Sequence, residues 1–247
     1  EHVVKALTNA LEQQRLHHAY LFTGTRGIGK TTVSRILAKS LNCTGADGRG
    51  GITAAPCGVC DACTSIDADR YVDYVELDAA SNRSIEEVRD LIERAAYKPA
   101  VGRFKVFMID EAHQLTRDAF NALLKTLEEP PGDTVFLLVT DRADGLPATI
   151  RSRCVAISVS MPPLAVARDW LMRQPEVAAA EGPDRDVEGW LAAAGGAPLR
   201  ALELAEPGAS AGHRQVVDAI AALPEGSPLA AAESLSGFPP RDWLPVF

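Results

Sequence analysis

Apolar positions along this chain follow two periods. Val3, Val4, Leu7 and Leu11 share one face of an amphipathic helix over residues 2–15. Short apolar runs follow at Tyr20–Phe22, Tyr71–Leu77, Phe104–Ile109 and Thr134–Val139, and Val155–Val159 alternates; these predict five strands. Helical spacing fills the intervals. Val33, Ile36, Leu37 and Leu41 recur on one face up to about Asn42. Residues Ile85–Ala96 form the next helix, started by a capping box of Ser84 with Glu87. Phe120, Leu123, Leu124 and Leu127 line one side of Ala119–Leu127, which Pro130-Pro131 stops. The fourth run is almost continuously apolar, as a parallel strand buried on both faces should be. Strands alternating with helices up to residue 160 therefore predict an α/β fold on a parallel sheet.

Beyond Pro162-Pro163 the pattern is helical only. Leu164–Arg173, Val187–Ala194, Pro198–Ala205 and Arg214–Leu223 lie between Gly and Pro breaks, and Trp190, Leu191, Leu202 and Leu204 supply a small core. An all-α lid is expected there. Composition agrees with two units. Residues 1–131 carry 16 basic and 18 acidic side chains, residues 132–247 carry 9 and 15, and all six lysines lie at or before Lys125. The net charge of −8 argues against a globally basic nucleic-acid binder, though not against a local basic stripe. There is no apolar run of about 18 residues and no secretory signal, so the expectation is a cytoplasmic protein without a membrane span. The first residue is Glu and the chain ends Trp-Leu-Pro-Val-Phe, which reads as a fragment cut at both ends.

The first predicted strand and the helix after it enclose Gly24-x-x-x-x-Gly29-Lys30-Thr31. This is a phosphate-binding loop in its proper context. Gly24, Gly27 and Gly29 let the main chain curl with its N–H groups inward, and the helix N-terminus adds partial positive charge. Lys30 would reach the β- and γ-phosphates of ATP, the Thr31 hydroxyl would ligate Mg²⁺, and Thr25 and Thr32 complete the phosphate-facing set. The third strand ends in Asp110-Glu111; Asp110 would hold the Mg²⁺ water shell and Glu111 would orient or activate the attacking water. Thr140 closes the fourth strand, next to where the γ-phosphate would lie. His113 completes the string Asp-Glu-Ala-His and reads as a local hydrogen-bonder rather than a catalyst. The same string occurs in helicases, but these need a second sheet domain, for which residues 160–247 are helical and too short.

Four cysteines cluster after the loop helix: Cys43, then Cys57, Cys60 and Cys63 at two-residue gaps. Four thiolates suit tetrahedral Zn²⁺, which would give the Gly-rich stretch 44–56 a fold; an iron–sulfur cluster is the rival occupant. Arg83, beside the capped helix start, would either touch a nucleic-acid phosphate or do no more than flank the cap.

The ordered set GTRGIGKTT, the four-cysteine insert, ELDAASNRS, FKVFMIDEAH, FNALLKTLEEPP and IRSRC resembles the bacterial DNA polymerase III clamp-loader ATPases. Up to about Pro131 the likeness is to the gamma/tau subunit; beyond it, to the delta-prime subunit. The resemblance implies an AAA+ domain over 1–160 with a zinc module at 43–63, a helical lid over 161–208 and the start of a helical collar over 209–247. It implies an ATP-driven subunit of a hetero-oligomeric ring that loads the sliding clamp onto primer–template DNA through backbone contacts. It further implies that Arg153, in Ser152-Arg153-Cys154, acts in trans as an arginine finger; without the family it would read as half of a surface salt bridge. Two departures stand out. Asp141 occupies the place of the second Thr that gamma/tau carries after the fourth strand, and Leu199 that of the lid arginine, with Arg200 one residue late. A one-residue helical step turns a side chain by about 100°. These departures favour the alternative of a delta-prime-type stator that supplies a finger without hydrolysing ATP.

Overall fold

The computed structural model describes residues 2–81, 85–178 and 186–205. The described elements are α1 (His2–Glu12), β1 (Ala19–Thr23), α2 (Lys30–Asn42), α3 (Asp61–Asp67), β2 (Tyr74–Asp78), α4 (Ile85–Ala95), β3 (Lys105–Asp110), α5 (Arg117–Glu128), β4 (Thr134–Thr140), α6 (Ala148–Arg151), β5 (Val155–Ser158), α7 (Leu164–Leu171), α8 (Pro175–Ala178), α9 (Val187–Ala193) and α10 (Pro198–Ala205). They divide into two compact units, residues 1–24 with 29–159 and residues 25–28 with 160–247.

In the first unit, all five strands form one parallel sheet in the order β2-β3-β4-β1-β5. Period-two alternation sends neighbouring side chains to opposite faces. Leu21, Phe107, Ile109, Phe136 and Leu138 pack on one face against Val88 and Leu91 of α4 and Phe120, Leu123 and Leu127 of α5. Phe22, Val106, Met108, Val135, Leu137 and Val139 pack on the other against Leu7 and Leu11 of α1 and Leu37 and Leu41 of α2. The continuous apolar runs are thus strands covered on both faces, in a three-layer α/β domain. β1 lies centrally, and Thr23 at its end registers with Thr140 at the end of β4. The carboxyl ends of central strands in such sheets border the ligand crevice.

Polar side chains fasten the helices to this frame. Thr116 caps α5, its hydroxyl accepting from the Ala119 N–H at 3.2 Å, so the helix begins at Arg117 rather than at Ala119 as the apolar spacing predicts. The Glu76 carboxylate accepts from Arg35 of α2 at 2.6 and 2.8 Å and from the Tyr74 hydroxyl at 2.6 Å.

β2 starts at Tyr74, not Tyr71, and Asp73 is the reason. Its buried carboxylate accepts the N–H groups of Ala100, Val101 and Gly102 at 2.8, 2.7 and 2.7 Å, which bends the chain into the strand. Burial raises the Asp73 pKa, but those three N–H groups and the Lys105 charge outweigh it and leave the pKa below its ordinary value. A depressed carboxylate pKa stabilises the fold above the unfolded value, and the effect is lost as pH falls through the folded value. We therefore expect Asp73→Asn to cost about 1–3 kcal/mol near neutrality. In denaturant titrations the gap from the parent should narrow once the pH drops below about 4. A gap independent of pH would rule out the charge as the cause.

The second unit is helical. Ala167, Leu171, Val177, Trp190, Leu191, Ala201 and Leu204 form its core. Leu202, expected inside, is only partly buried; Ala201 takes the interior position one residue earlier. Helices α3 and α8 are too short for periodicity to reveal. Ser84, Arg83, the helix over 214–223 and the expected collar over 209–247 lie outside the described residues.

Candidate nucleotide and metal sites

The loop after β1 turns on its glycines. Gly24, Gly27 and Gly29 have φ of 143°, 75° and 91°, a range that L side chains rarely adopt. Gly29 in the left-handed conformation delivers the chain into α2, whose first residue is Lys30. The Lys30 side chain is buried, and its Nζ donates to the Gly24 carbonyl at 2.8 Å. The ammonium is thus folded back over the loop. The adjacent Thr31 hydroxyl donates to Asp110 Oδ2 at 2.8 Å, and Asp110 Oδ1 accepts the Glu111 N–H at 2.8 Å. Two residues 79 apart in sequence are joined because β3 ends beside the first turn of α2. A hydroxyl and a carboxylate converging there are the hard oxygen donors that Mg²⁺ takes. Thr25 and Thr32 are exposed on the loop and on the first turn of α2.

Glu111 follows β3 in a left-handed conformation, φ 48° and ψ 39°. For a residue with a Cβ this costs about 1–2 kcal/mol. The bend starts a single 3₁₀ turn, Ala112–Gln114, that brings His113 back beneath the end of β4. His113 Nδ1 lies 2.9 Å from Thr140 Oγ1 and 3.5 Å from Asp141 Oδ1; Nε2 lies 3.5 Å from Glu111 Oε2. Thr140 Oγ1 also accepts the Arg142 N–H at 3.0 Å. His113 is the local hydrogen-bonder that its place in the sequence suggests, and it connects two residues read separately there.

Arg153 pairs with Glu128 at the end of α5 and donates to the Thr149 carbonyl at 2.7 Å. In the second unit, Leu199 N–H donates to the Gly27 carbonyl at 3.1 Å, and Arg200 pairs with Glu203 at 3.1 Å. A Cβ on Gly27 would stand 2.7 Å from that of Arg200, so close approach as well as φ demands glycine there.

Cys43, Cys57, Cys60 and Cys63 bring their sulfurs within 4.8 Å of one another, and none of the chain's five cysteines is in a disulfide. Four sulfurs around one zinc at ordinary bond length would stand about 3.8 Å apart, so the set fits with little movement. Cys43 Sγ accepts the N–H groups of Gly45 and Cys57, and Cys57 Sγ that of Cys60, each at 3.4 Å. At Cys60, burial opposes the thiolate, but hydrogen bonds from Thr44 and the Cys63 backbone prevail and bring the pKa down to about 5.

Two residues that hold this module went unread in the sequence. Arg103 donates to the Leu41 carbonyl at 3.1 Å and to the Cys43 carbonyl, closing the C-terminal end of α2. Asn42 Oδ1 accepts the N–H groups of Arg103 and Phe104 at 2.9 and 3.0 Å. An isolated arginine before a strand carries no signal of this; only the folded chain places it at a helix C-terminus.

Comparison with known proteins accords with this geometry. Over 155 residues, 63% of this chain, it is 57% identical to DNA polymerase III subunit tau of Salmonella typhimurium and equally so to that of Escherichia coli, covering 23% of each. It is 46% identical over 161 residues to DNA polymerase III subunit gamma of Buchnera aphidicola subsp. Schizaphis graminum, covering 43% of it. The chain thus spans well under half the length of these relatives. A match of 155 residues necessarily runs past Gly132, so the tau likeness continues beyond the first 131 residues. In fold, it is similar to a DNA polymerase III gamma subunit-related protein of Thermotoga maritima, with TM-score 0.54 and 20% identity over 86% of this chain and 62% of that one. The Holliday junction motor RuvB of the same organism gives TM-score 0.54 and 18% identity, with 98% and 70% covered. No helix among the described residues is long and apolar enough to cross a membrane. The family model described as DNA polymerase III, delta subunit, matches residues 1–163, and the chain belongs to that family, with gamma/tau-type subunits among its relatives.

Proposed function

We propose that this chain is an ATP-hydrolysing subunit of the DNA polymerase III clamp loader, of the gamma/tau type. The observation that carries the reading is the 2.8 Å contact between Thr31 and Asp110, with Lys30 beside it. A bare glycine turn has no reason to hold a hydroxyl, a carboxylate and a buried ammonium at one strand edge. Gly24, Gly27 and Gly29 shape the cradle for the phosphates, with Thr25 and Thr32 on its rim, and Lys30 supplies positive charge. Mg²⁺, held through Thr31 and Asp110, would neutralise charge on the phosphate oxygens. Glu111 orients the attacking water. Arg153 exchanges its partner Glu128 for the phosphate of a neighbouring subunit's ATP. The ring's other subunits, the sliding clamp and primer–template DNA are the partners, and zinc on the four cysteines is structural.

A second reading, the delta-prime-type stator, draws support from Asp141 and from Leu199, which spends its N–H on Gly27 while Arg200 pairs with Glu203. Arg153→Ala tests the finger that both readings share, and turnover by this chain itself separates them. In the assembled ring of a motor, Arg153→Ala should slow ATP turnover by roughly 10²–10³-fold at the neighbour's site and leave this chain's own nucleotide affinity unchanged. The measurement is steady-state turnover beside nucleotide titration of the isolated chain. Absence of turnover by this chain in the parental complex would exclude the motor.

A further inference from the structure

We propose that Thr140, His113 and Glu111 form a relay in which the direction of the Thr140 hydroxyl proton decides whether the His113 ring holds or releases the Glu111 carboxylate. The proposal rests on the nucleotide reading above, because the event that redirects the hydroxyl is a terminal phosphate arriving at the end of β4.

The geometry is balanced. The His113 side chain is only 4% exposed, so water does not satisfy its ring. A Cβ on Gly145 would come within 3.1 Å of the His113 Cβ, so the 3₁₀ turn at Ala143–Gly145 packs closely over it. Each ring nitrogen faces one carboxylate at 3.5 Å, Nε2 facing Glu111 and Nδ1 facing Asp141. The carboxylates by themselves do not choose between the two neutral tautomers. Thr140 does, through its 2.9 Å contact with Nδ1.

Thr140 Oγ1 has one proton to give and two lone pairs. One lone pair is taken by the Arg142 N–H at 3.0 Å. With no phosphate present, the hydroxyl donates to Nδ1. The proton on the neutral ring then sits on Nε2 and points at Glu111, which it holds against the ring. When the hydroxyl donates to a terminal phosphate, its second lone pair faces Nδ1 and needs a donor. The ring meets this by passing its Nε2 proton to the partly exposed Glu111 carboxylate, which gives it up to solvent, and by taking at Nδ1 a proton that the partly exposed Asp141 carboxylate draws from solvent and then stabilises there. Nε2 is then a bare lone pair against a carboxylate, and Glu111 swings away toward the attacking water. The ring carries one proton before and after. His113 is a positioning residue in this scheme: it touches neither phosphate nor water and acts through Glu111.

The test reads the ring itself. In the full chain labelled with ¹⁵N-histidine, one-bond and long-range nitrogen–proton spectra report which nitrogen is protonated. His113→Gln identifies the signal among the five histidines. Without nucleotide, and with Mg²⁺–ADP alone, Nε2 should carry the proton. Adding beryllium fluoride to Mg²⁺–ADP as a terminal-phosphate mimic should move it to Nδ1, changing the tautomer ratio by at least about tenfold, the worth of one net hydrogen bond. Thr140→Val should leave both tautomers populated and unresponsive to beryllium fluoride, and Thr140→Ser should restore the response. An unchanged tautomer in beryllium fluoride, despite Mg²⁺–ADP binding in a parallel titration, would overturn the relay alone. A ring protonated on both nitrogens would overturn it too. Failure of Mg²⁺–ADP to bind at all would overturn both the relay and the nucleotide reading beneath it.

Discussion

Replacing Lys30 by Ala should weaken ATP binding by roughly 10²–10³-fold. A unit charge about 4 Å from a phosphate oxygen is worth about 4 kcal/mol at an effective dielectric of 20, or close to a thousandfold. Part of that is returned because the ammonium no longer has to be desolvated in its buried position. Glu111→Gln separates binding from chemistry. It keeps the shape of the side chain and removes the carboxylate, so binding should persist while turnover falls by at least about 10²-fold. Both are read from fluorescent-nucleotide titrations and single-turnover hydrolysis. Parental affinity in Lys30→Ala would mean that the loop does not use its lysine, and the motor reading would fall with it.

Cys63→Ser should remove one bound zinc per chain and cost roughly 4 kcal/mol or more, lowering the Tm by about 10 °C. Cys63 is fully buried beside Cys43, which ends α2 under the Arg103 clamp. Loss of the metal would therefore loosen the module and fray the last turn of the loop helix. Among the described residues the three-layer core shares with this cluster just the partly buried Tyr71, and it should survive. Zinc released by a thiol-blocking mercurial and counted with a chromogenic chelator gives the stoichiometry, and calorimetry gives the loss of stability. A brown protein carrying iron and sulfide would assign the cysteines to a cluster instead. A metal-free parent with unchanged Tm would exclude both occupants.

The dependence on tertiary structure differs from site to site. The four cysteines announce their chemistry by spacing, because short loops between ligands are what a small metal polyhedron needs. The glycine loop announces its own as well, because φ above zero and close backbone approach exclude other residues. Arg153 behaves otherwise. Its family context suggests a finger, whereas in the isolated chain its nearest anion is Glu128. A residue that works on a neighbour has no reason to show its working partner in its own fold.

The sequence by itself determined the five strands, the burial of the fourth on both faces, the longer helices between them and the residue types of both sites. Each of these follows from local periodicity or from spacing along the chain. It did not determine the strand order β2-β3-β4-β1-β5, which brings Asp110 to Thr31 across 79 residues. Nor did it determine the start of β2 at Tyr74, the clamp of Arg103 on the end of α2, or the bend at Glu111 that turns His113 back to Thr140. These are contacts between groups far apart in sequence, or backbone conformations that only surrounding structure can impose. Hydrophobic period reports which face is buried and says nothing of which polar atom on another element will meet it there.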